Sequence, residues 1–376
     1  MSLFLLSALL HAYVGARIVP ALPGAWAPLA FTLLLVAGAL CTPMGLLGRR
    51  YARGARADQL AWLGLVFMGL LSSTVVLTLV RDAALLLAWL AGALGMSGLA
   101  SARIGGATAL AVPLLGTGLT LWGLANARRT ARIVTVDVPI AGLPAALQGF
   151  TIAQLSDIHV GPTIKGRYLQ AIVERVNGMA PDLVAITGDL VDGSVAELSA
   201  HVAPLAGLRA RHGSYFVTGN HEYYSGAAAW VAELQRLGIP TLMNRHVILA
   251  HGGASLVLAG VADFGAHHFD ERDRSDPRAA LAGAPADAGA KVLLAHQPRS
   301  AAAAAAAGFD LQLSGHTHGG QFLPWNLLVR LQQPFTAGLH RLDRLWVYVS
   351  RGTGYWGPPK RLGAPSEITR IRLVAQ

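Results

Sequence analysis

Two histidines one residue apart close a short apolar run, Leu311-Gln312-Leu313-Ser314-Gly315-His316-Thr317-His318-Gly319-Gly320. In extended backbone successive side chains alternate faces, so His316 and His318 are expected on one side, whereas on a helix they would diverge by about 200°. Two imidazoles on one side of a strand end make a metal-ligand pair, and the small residues around them let backbone approach a bound ion or substrate. Alone, the pair reads equally well as two surface histidines in a glycine-rich turn. Four further strand ends repeat the pattern: Ser156-Asp157-Ile158-His159, Thr187-Gly188-Asp189, Thr218-Gly219-Asn220-His221-Glu222 and Ala295-His296. Ligand sites in open α/β sheets lie beyond the carboxyl ends of strands, so the five tips can meet in one cleft. There they collect two carboxylates, one carboxamide, up to five imidazoles and no thiolate, a mixed N/O set that suits Mn, Fe, Zn or Co better than Ca or Cu(I). Seven or eight ligands exceed the needs of one ion. Two ions sharing a bridging carboxylate, about 3.5–4 Å apart as in two-metal hydrolytic sites, is the economical solution. Singly, Asp157, Asp189 and Asn220 could cap helices or turns, and His296 could be a satisfied core histidine; their joint occurrence is what favours the metal reading.

As a set and in this order, the motifs resemble the calcineurin-like metallophosphoesterase superfamily over residues 150 to 373. The continuation Gly319-Gly320-Gln321 and the late Ser350-Arg351-Gly352, beside an apolar first third, are similar to its membrane-associated bacterial branch. The resemblance implies that Asp157, His159 and His318 hold one metal, that Asn220, His296 and His316 hold the other, and that Asp189 bridges them. It implies a fold of two packed mixed sheets flanked by helices, and hydrolysis of a phosphomonoester, phosphodiester or pyrophosphate by a hydroxide held between two divalent ions, with manganese favoured. His221, next to Asn220, would protonate the leaving oxygen or stabilise the pentacoordinate state. The competing class is a non-enzymatic membrane binding or sensing protein with a degenerate site, which would have no need of both ions and His221.

The elements that must position these residues begin near Arg132, where the texture changes to short β-like runs separated by helical patterns. Strands are expected at Ile133–Ile140, Thr151–Leu155, Leu183–Thr187, Tyr215–Thr218, Ser255–Val261, Val292–His296, Leu311–Leu313, Trp346–Ser350 and Ile368–Leu373, with an amphipathic helix over Lys165–Met179. Alternation of strand and helix makes the class α/β. The expected division is 1–127 as a multi-helix membrane anchor and 128–376 as the catalytic domain.

The chain has 376 residues, 53% hydrophobic and only 13% charged, which is too apolar for a purely soluble protein. Its net charge of +10 is concentrated in residues 1 to 132, where ten arginines face two aspartates. The nearly neutral remainder offers no basic face for nucleic acid. The single cysteine, Cys41, excludes an intrachain disulfide and a cysteine-based metal site. Five membrane helices are expected, over Ser2–Val19, Ala25–Gly48, Leu60–Val80, Ala83–Ala102 and Ala107–Ala125, with Gly92, Ala93, Gly95, Gly98, Gly116 and Gly118 suited to close packing in lipid. Without paired intramembrane charges they read as an anchor. With five spans the arginines divide five to five between the two faces, and the dense Arg49 to Arg56 loop favours an extracytoplasmic catalytic domain on an inner membrane.

Four secondary features remain. Arg351 is a candidate for binding substrate phosphate or for a structural role, and Glu222 for supporting the ligand residues from behind or for capping. The loop Asp263 to Asp276, with His267 and His268, reads as a solvated charged loop rather than a third metal site. Phe322-Leu323-Pro324-Trp325-Asn326-Leu327-Leu328-Val329-Arg330-Leu331 is either core or an apolar wall beside the metals. The second option favours an amphiphilic substrate, such as a lipid-linked sugar, a phospholipid headgroup or a pyrophosphate of the UDP-diacylglucosamine type.

Overall fold

The computed structural model describes residues 2–94 and 102–376. The chain divides into two compact units: Met1–Arg128 together with Gly357–Leu362, and Arg129–Trp356 together with Gly363–Gln376.

The first unit is helical: α1 (Leu3–Ile18), α2 (Trp26–Cys41), α3 (Met44–Tyr51), α4 (Gly54–Ala93) and α5 (Ala102–Arg128). Among the described residues four helices are long and apolar enough to cross a membrane, not five. The expected break at Arg81-Asp82 does not occur, and α4 continues unbroken for 40 residues. The two charges at the expected break are held by neighbouring helices. Arg81 donates to Thr108 Oγ1 and Gly105 O, each at 3.2 Å. Asp82 accepts from Arg17 Nε at 2.8 Å and from Tyr13 OH at 2.9 Å. Charges that find partners on neighbouring helices do not force a helix to stop. Residues 95–101 of the fourth expected span, including Gly95 and Gly98, lie outside the described residues. Of the expected packing glycines, Gly116 lies against Thr74, while Gly92 and Gly118 meet nothing within 4 Å; the close helix contact is made instead by Gly64 against Gly45. The segment Gly357–Leu362 completes this unit, with the Arg361 N–H donating to Gly123 O at 3.0 Å and Lys360 Nζ to Gly69 O at 3.1 Å.

The second unit contains two mixed sheets. Strands β1 (Arg132–Ile140), β2 (Thr151–Leu155), β3 (Leu183–Ile186) and β4 (Ser214–Phe216) join β11 (Glu367–Ala375) in one sheet, in the order β1-β11-β2-β3-β4. Strands β5 (Arg245–His251), β6 (Ala254–Gly260), β7 (Ala290–Leu294), β8 (Leu311–Ser314), β9 (Gly338–Leu342) and β10 (Leu345–Val349) form the other, in the order β5-β6-β7-β8-β10-β9. A shared core fills the space between them, with Ile152, Leu183, Ala185 and Val217 from one side and Leu256, Leu258, Val292 and Leu313 from the other. Helix α6 (Gly166–Asn177) buries Leu169, Ile172, Val173 and Val176 at helical spacing, as its pattern requires. The α/β class and the two-sheet architecture thus follow the sequence expectation. Strands β5 and β9 were not expected. Both are sheet edges with mostly half-exposed side chains, so neither carries a buried alternating pattern.

Strands β2, β3 and β4 are mutually parallel, as are β7 and β8. Their carboxyl ends therefore open toward one end within each sheet, and each is followed by one of the five polar motifs.

Candidate metal centre

The motif residues leave their strands in an unusual backbone conformation. Asp157, His159, Asp189, His316 and His318 all have φ between 51° and 68°. The left-handed region is costly for residues with a Cβ and persists where the surroundings over-determine it, which happens at functional sites. This corrects the strand-alternation argument for the two histidines. Strand β8 ends at Ser314, and His316 and His318 reach the site from a tight left-handed loop rather than from extended backbone. Gly315 is required there, because a Cβ would occupy the space of Ser156 Oγ and Asp157 Oδ2.

Seven of the side chains converge in three overlapping groups, each with ligand atoms within 4.8 Å of one another: Asp157, His159 and His318; His159, Asp189 and His221; Asp189, His296 and His316. Asp189 Oδ2 is the common point, at 3.1 Å from His296 Nε2, 3.9 Å from His159 Nε2 and 4.0 Å from His221 Nε2. Backbone fixes the carboxylates. The His316 N–H donates to Asp157 Oδ1 at 2.9 Å, and the His221 N–H to Asp189 Oδ1 at 2.8 Å.

The imidazoles are turned by their outer nitrogens. His296 Nδ1 lies 2.8 Å from Thr187 O, which can only accept, so Nδ1 carries the proton and Nε2 offers its lone pair inward. His159 Nδ1 is held likewise by Asp192 Oδ1 at 2.9 Å. Inward nitrogens then face one another, with His159 Nε2 3.1 Å from His318 Nε2 and His316 Nδ1 3.2 Å from His296 Nε2. Metal–ligand bonds of about 2.1 Å put neighbouring ligand atoms roughly 3.0–3.4 Å apart, so this spacing fits ligands of shared cations. A second observation agrees. Asn220 Oδ1 is buried and has no hydrogen-bond partner, as a carboxamide oxygen reserved for a cation would be. Burial pushes His316 down to about 3, which keeps a lone pair available. The donor set therefore fits two divalent ions.

Asp192, absent from the sequence reading, is the main addition. Its Oδ1 lies 2.7 Å from His221 Nδ1 as well as 2.9 Å from His159 Nδ1. Against its burial, the two imidazoles hold its carboxyl well below the usual carboxylate range. The only signal in the sequence was a second aspartate three residues after Asp189. Glu222 proves to be an internal clamp. Its carboxylate accepts the N–H groups of Gly219 at 2.7 Å, Leu190 at 2.8 Å, Asp189 at 2.9 Å and Val191 at 3.3 Å. Burial and the Asp189 charge push Glu222 upward. Four N–H donors favour the carboxylate, and the geometry decides for the ionised form because a proton would displace a donor.

Other candidates fall outside the cluster. Arg351 Nη1 lies 2.8 Å from Glu367 Oε2, an ion pair that ties it to β11. The rings of His267 and His268 lie 4.0 Å apart, tilted by 42°, and, among the described residues, join no group of three ligands. Their loop carries the Arg272–Asp270 and Arg274–Glu271 ion pairs, the solvated charged face expected of it.

This arrangement is that of a metallophosphoesterase, and comparison with known proteins agrees. Residues 150–320 match the calcineurin-like phosphoesterase family model. A bovine transmembrane protein with metallophosphoesterase domain is 41% identical over 312 residues, covering 80% of this chain and 70% of the relative. Its zebrafish counterpart is 41% identical over 263 residues, covering 68% and 60%. A metallophosphoesterase of Campylobacter jejuni is 36% identical over 253 residues, covering 66% and 64%. Among solved structures, the NAD nucleotidase of Haemophilus influenzae aligns with a TM-score of 0.39 at 16% identity, covering 55% of this chain and 50% of that one. The chain belongs to the calcineurin-like phosphoesterase family and is a phosphoester hydrolase with several apolar helices in its first third.

Proposed function

We propose that the protein is a membrane-anchored, dinuclear metal-dependent phosphoesterase, with residues 1–127 as anchor and 128–376 as catalytic domain. The carrying observation is the set of three ligand groups that are linked in series through His159 and then Asp189. In this reading Asp157, His159 and His318 hold one ion, Asn220, His296 and His316 the other, and Asp189 both; manganese is favoured. When bound, the ions supply an activated water and neutralise the phosphate oxygens. The protein's own part is a proton. His221 Nε2 gives it to the leaving oxygen as the P–O bond breaks, and Asp192 at Nδ1 stabilises the imidazolium and fixes the ring. Protein purified in detergent should hydrolyse an aryl phosphate ester with Mn²⁺ and stop with a chelator; turnover that survives chelation would contradict the reading.

Helix α4, taken as one crossing, changes the orientation argument. The loop Arg49 to Arg56 and the chain after Arg128 then share a face. Arg49, Arg50, Arg53, Arg56, Arg128, Arg129 and Arg132 stand on that side, against Arg17, Arg81 and Arg103 on the other. The excess of arginine favours a cytoplasmic catalytic domain, the reverse of what five spans suggest.

An amphiphilic substrate is supported by the stretch after the ligand loop. Phe322 is 4% exposed, but Leu323, Trp325, Leu327, Leu328 and Leu331 are exposed, Leu331 by 82%. A ridge of this kind suits an acyl chain or the bilayer surface.

A further inference from the structure

A row of aromatic rings leads from the candidate proton donor into solvent. The indole of Trp356 meets the His221 imidazole edge to face at 5.6 Å, and Tyr224 meets it at 5.3 Å. Phe269 continues the row, 5.7 Å from Tyr224. These rings are not core. Trp356 is 51% exposed, Phe269 54% and Tyr224 65%, whereas the His221 side chain between them is 15% exposed. Three large exposed aromatics that reach His221 directly or through Tyr224 form a surface that soluble proteins rarely present without use. Trp356 is also held in place. The Gln321 carboxamide grips its backbone from both sides, Nε2 donating to Trp356 O at 2.9 Å and Oε1 accepting from Trp356 N at 3.0 Å. Gln321 follows directly on the His318-Gly319-Gly320 loop and itself has φ of 55°. The ligand loop and the indole are therefore positioned by one side chain. With His221 assigned to the leaving oxygen, as proposed above, a group bonded to that oxygen would extend over these rings.

We propose that Trp356 and Tyr224, with Phe269 beyond them, form a leaving-group subsite for a flat aromatic or heteroaromatic moiety, and that they set the specificity of the phosphoesterase. This rests on the assignment of His221 to the leaving-group side. Offset and edge-to-face stacking favours flat rings over aliphatic chains of similar area. Gln321 is a positioning residue that acts through Trp356.

The test is equilibrium binding of two non-hydrolysable probes, phenylphosphonate and ethylphosphonate, to the Mn²⁺-loaded full chain by calorimetry. The wild type should bind the phenyl compound about tenfold more tightly, an effect of the size such ring contacts provide. The preference should fall to near unity in Trp356→Ala, remain in Trp356→Phe, and decrease in Gln321→Ala. Tyr224→Ala provides a second route, since an exposed side chain can be removed without disturbing a core. Equal binding of the two probes by the wild type, binding of neither, or an undiminished preference in both Trp356→Ala and Tyr224→Ala overturns the subsite. A protein that keeps the phenyl preference but hydrolyses no ester supports the subsite and contradicts only the catalytic reading.

Discussion

One carboxylate oxygen, Asp192 Oδ1, lies 2.7 Å from Nδ1 of His221 and at the same time 2.9 Å from Nδ1 of His159. The ring proposed to move a proton and a ring proposed to hold a metal are thus oriented by one atom. Replacing Asp192 by Asn removes the charge that stabilises a protonated His221 and leaves either a donor or a neutral acceptor between two N–H groups. We expect kcat to fall about 10- to 100-fold, the usual effect of losing a partner that orients ligands, with the fold retained. Steady-state kinetics beside circular dichroism check it, and an unchanged kcat would remove Asp192 from the mechanism.

His221 and the ligand residues should separate in their effects. His221→Ala removes a proton donor and no proposed ligand, so turnover should drop by roughly 10²- to 10⁴-fold while both ions stay bound. Elemental analysis of the purified variant decides the point. Loss of metal from His221→Ala would make it a ligand instead.

Glu222 makes a prediction about stability. It accepts four backbone N–H groups in the loops that carry Asp189 and Asn220. In Glu222→Gln an NH₂ group must face two of those donors, leaving buried groups unpaired at about 1–3 kcal/mol each. The thermal midpoint of the catalytic unit should fall by roughly 5 °C or more, and metal affinity with it. A variant that melts like the wild type would show that the clamp is dispensable.

Orientation in the membrane can be read directly. A green fluorescent protein fused at the C-terminus should fluoresce in a bacterial host, and an alkaline phosphatase fusion at the same position should be inactive. The opposite pair of results would restore the extracytoplasmic arrangement, as a third crossing between Gly54 and Arg128 would produce.

The parts of this molecule legible in the sequence were those with local signals. Thr151–Leu155 reads as a strand because a short run opened by the β-branched pair Thr151 and Ile152 stops at a polar motif, and α6 because Leu169, Ile172, Val173 and Val176 recur at helical spacing. The polar tips were legible because short motifs stood at the ends of apolar runs. Their mechanism of display was not. The left-handed backbone at His316 and His318 arises from contacts with Asp157 and Ser156, more than 150 residues away in sequence. Asp192 and Trp356 escaped notice for a similar reason, since neither forms a motif until the fold brings it to His221. The break imposed at Arg81-Asp82 failed because their partners, Tyr13, Arg17 and Thr108, lie on other helices.

The number of metal ions bound per chain, with and without Asp189, bears most directly on the central claim. Metal-stripped protein reloaded with Mn²⁺ should retain two ions per chain after desalting, and hydrolysis of an aryl phosphate should rise with their uptake. Asp189→Ala, which removes the atom nearest both sets of imidazoles, should lose both binding and turnover. A wild type that binds no ions while remaining folded, or an Asp189→Ala variant that keeps two ions and full activity, would contradict the account.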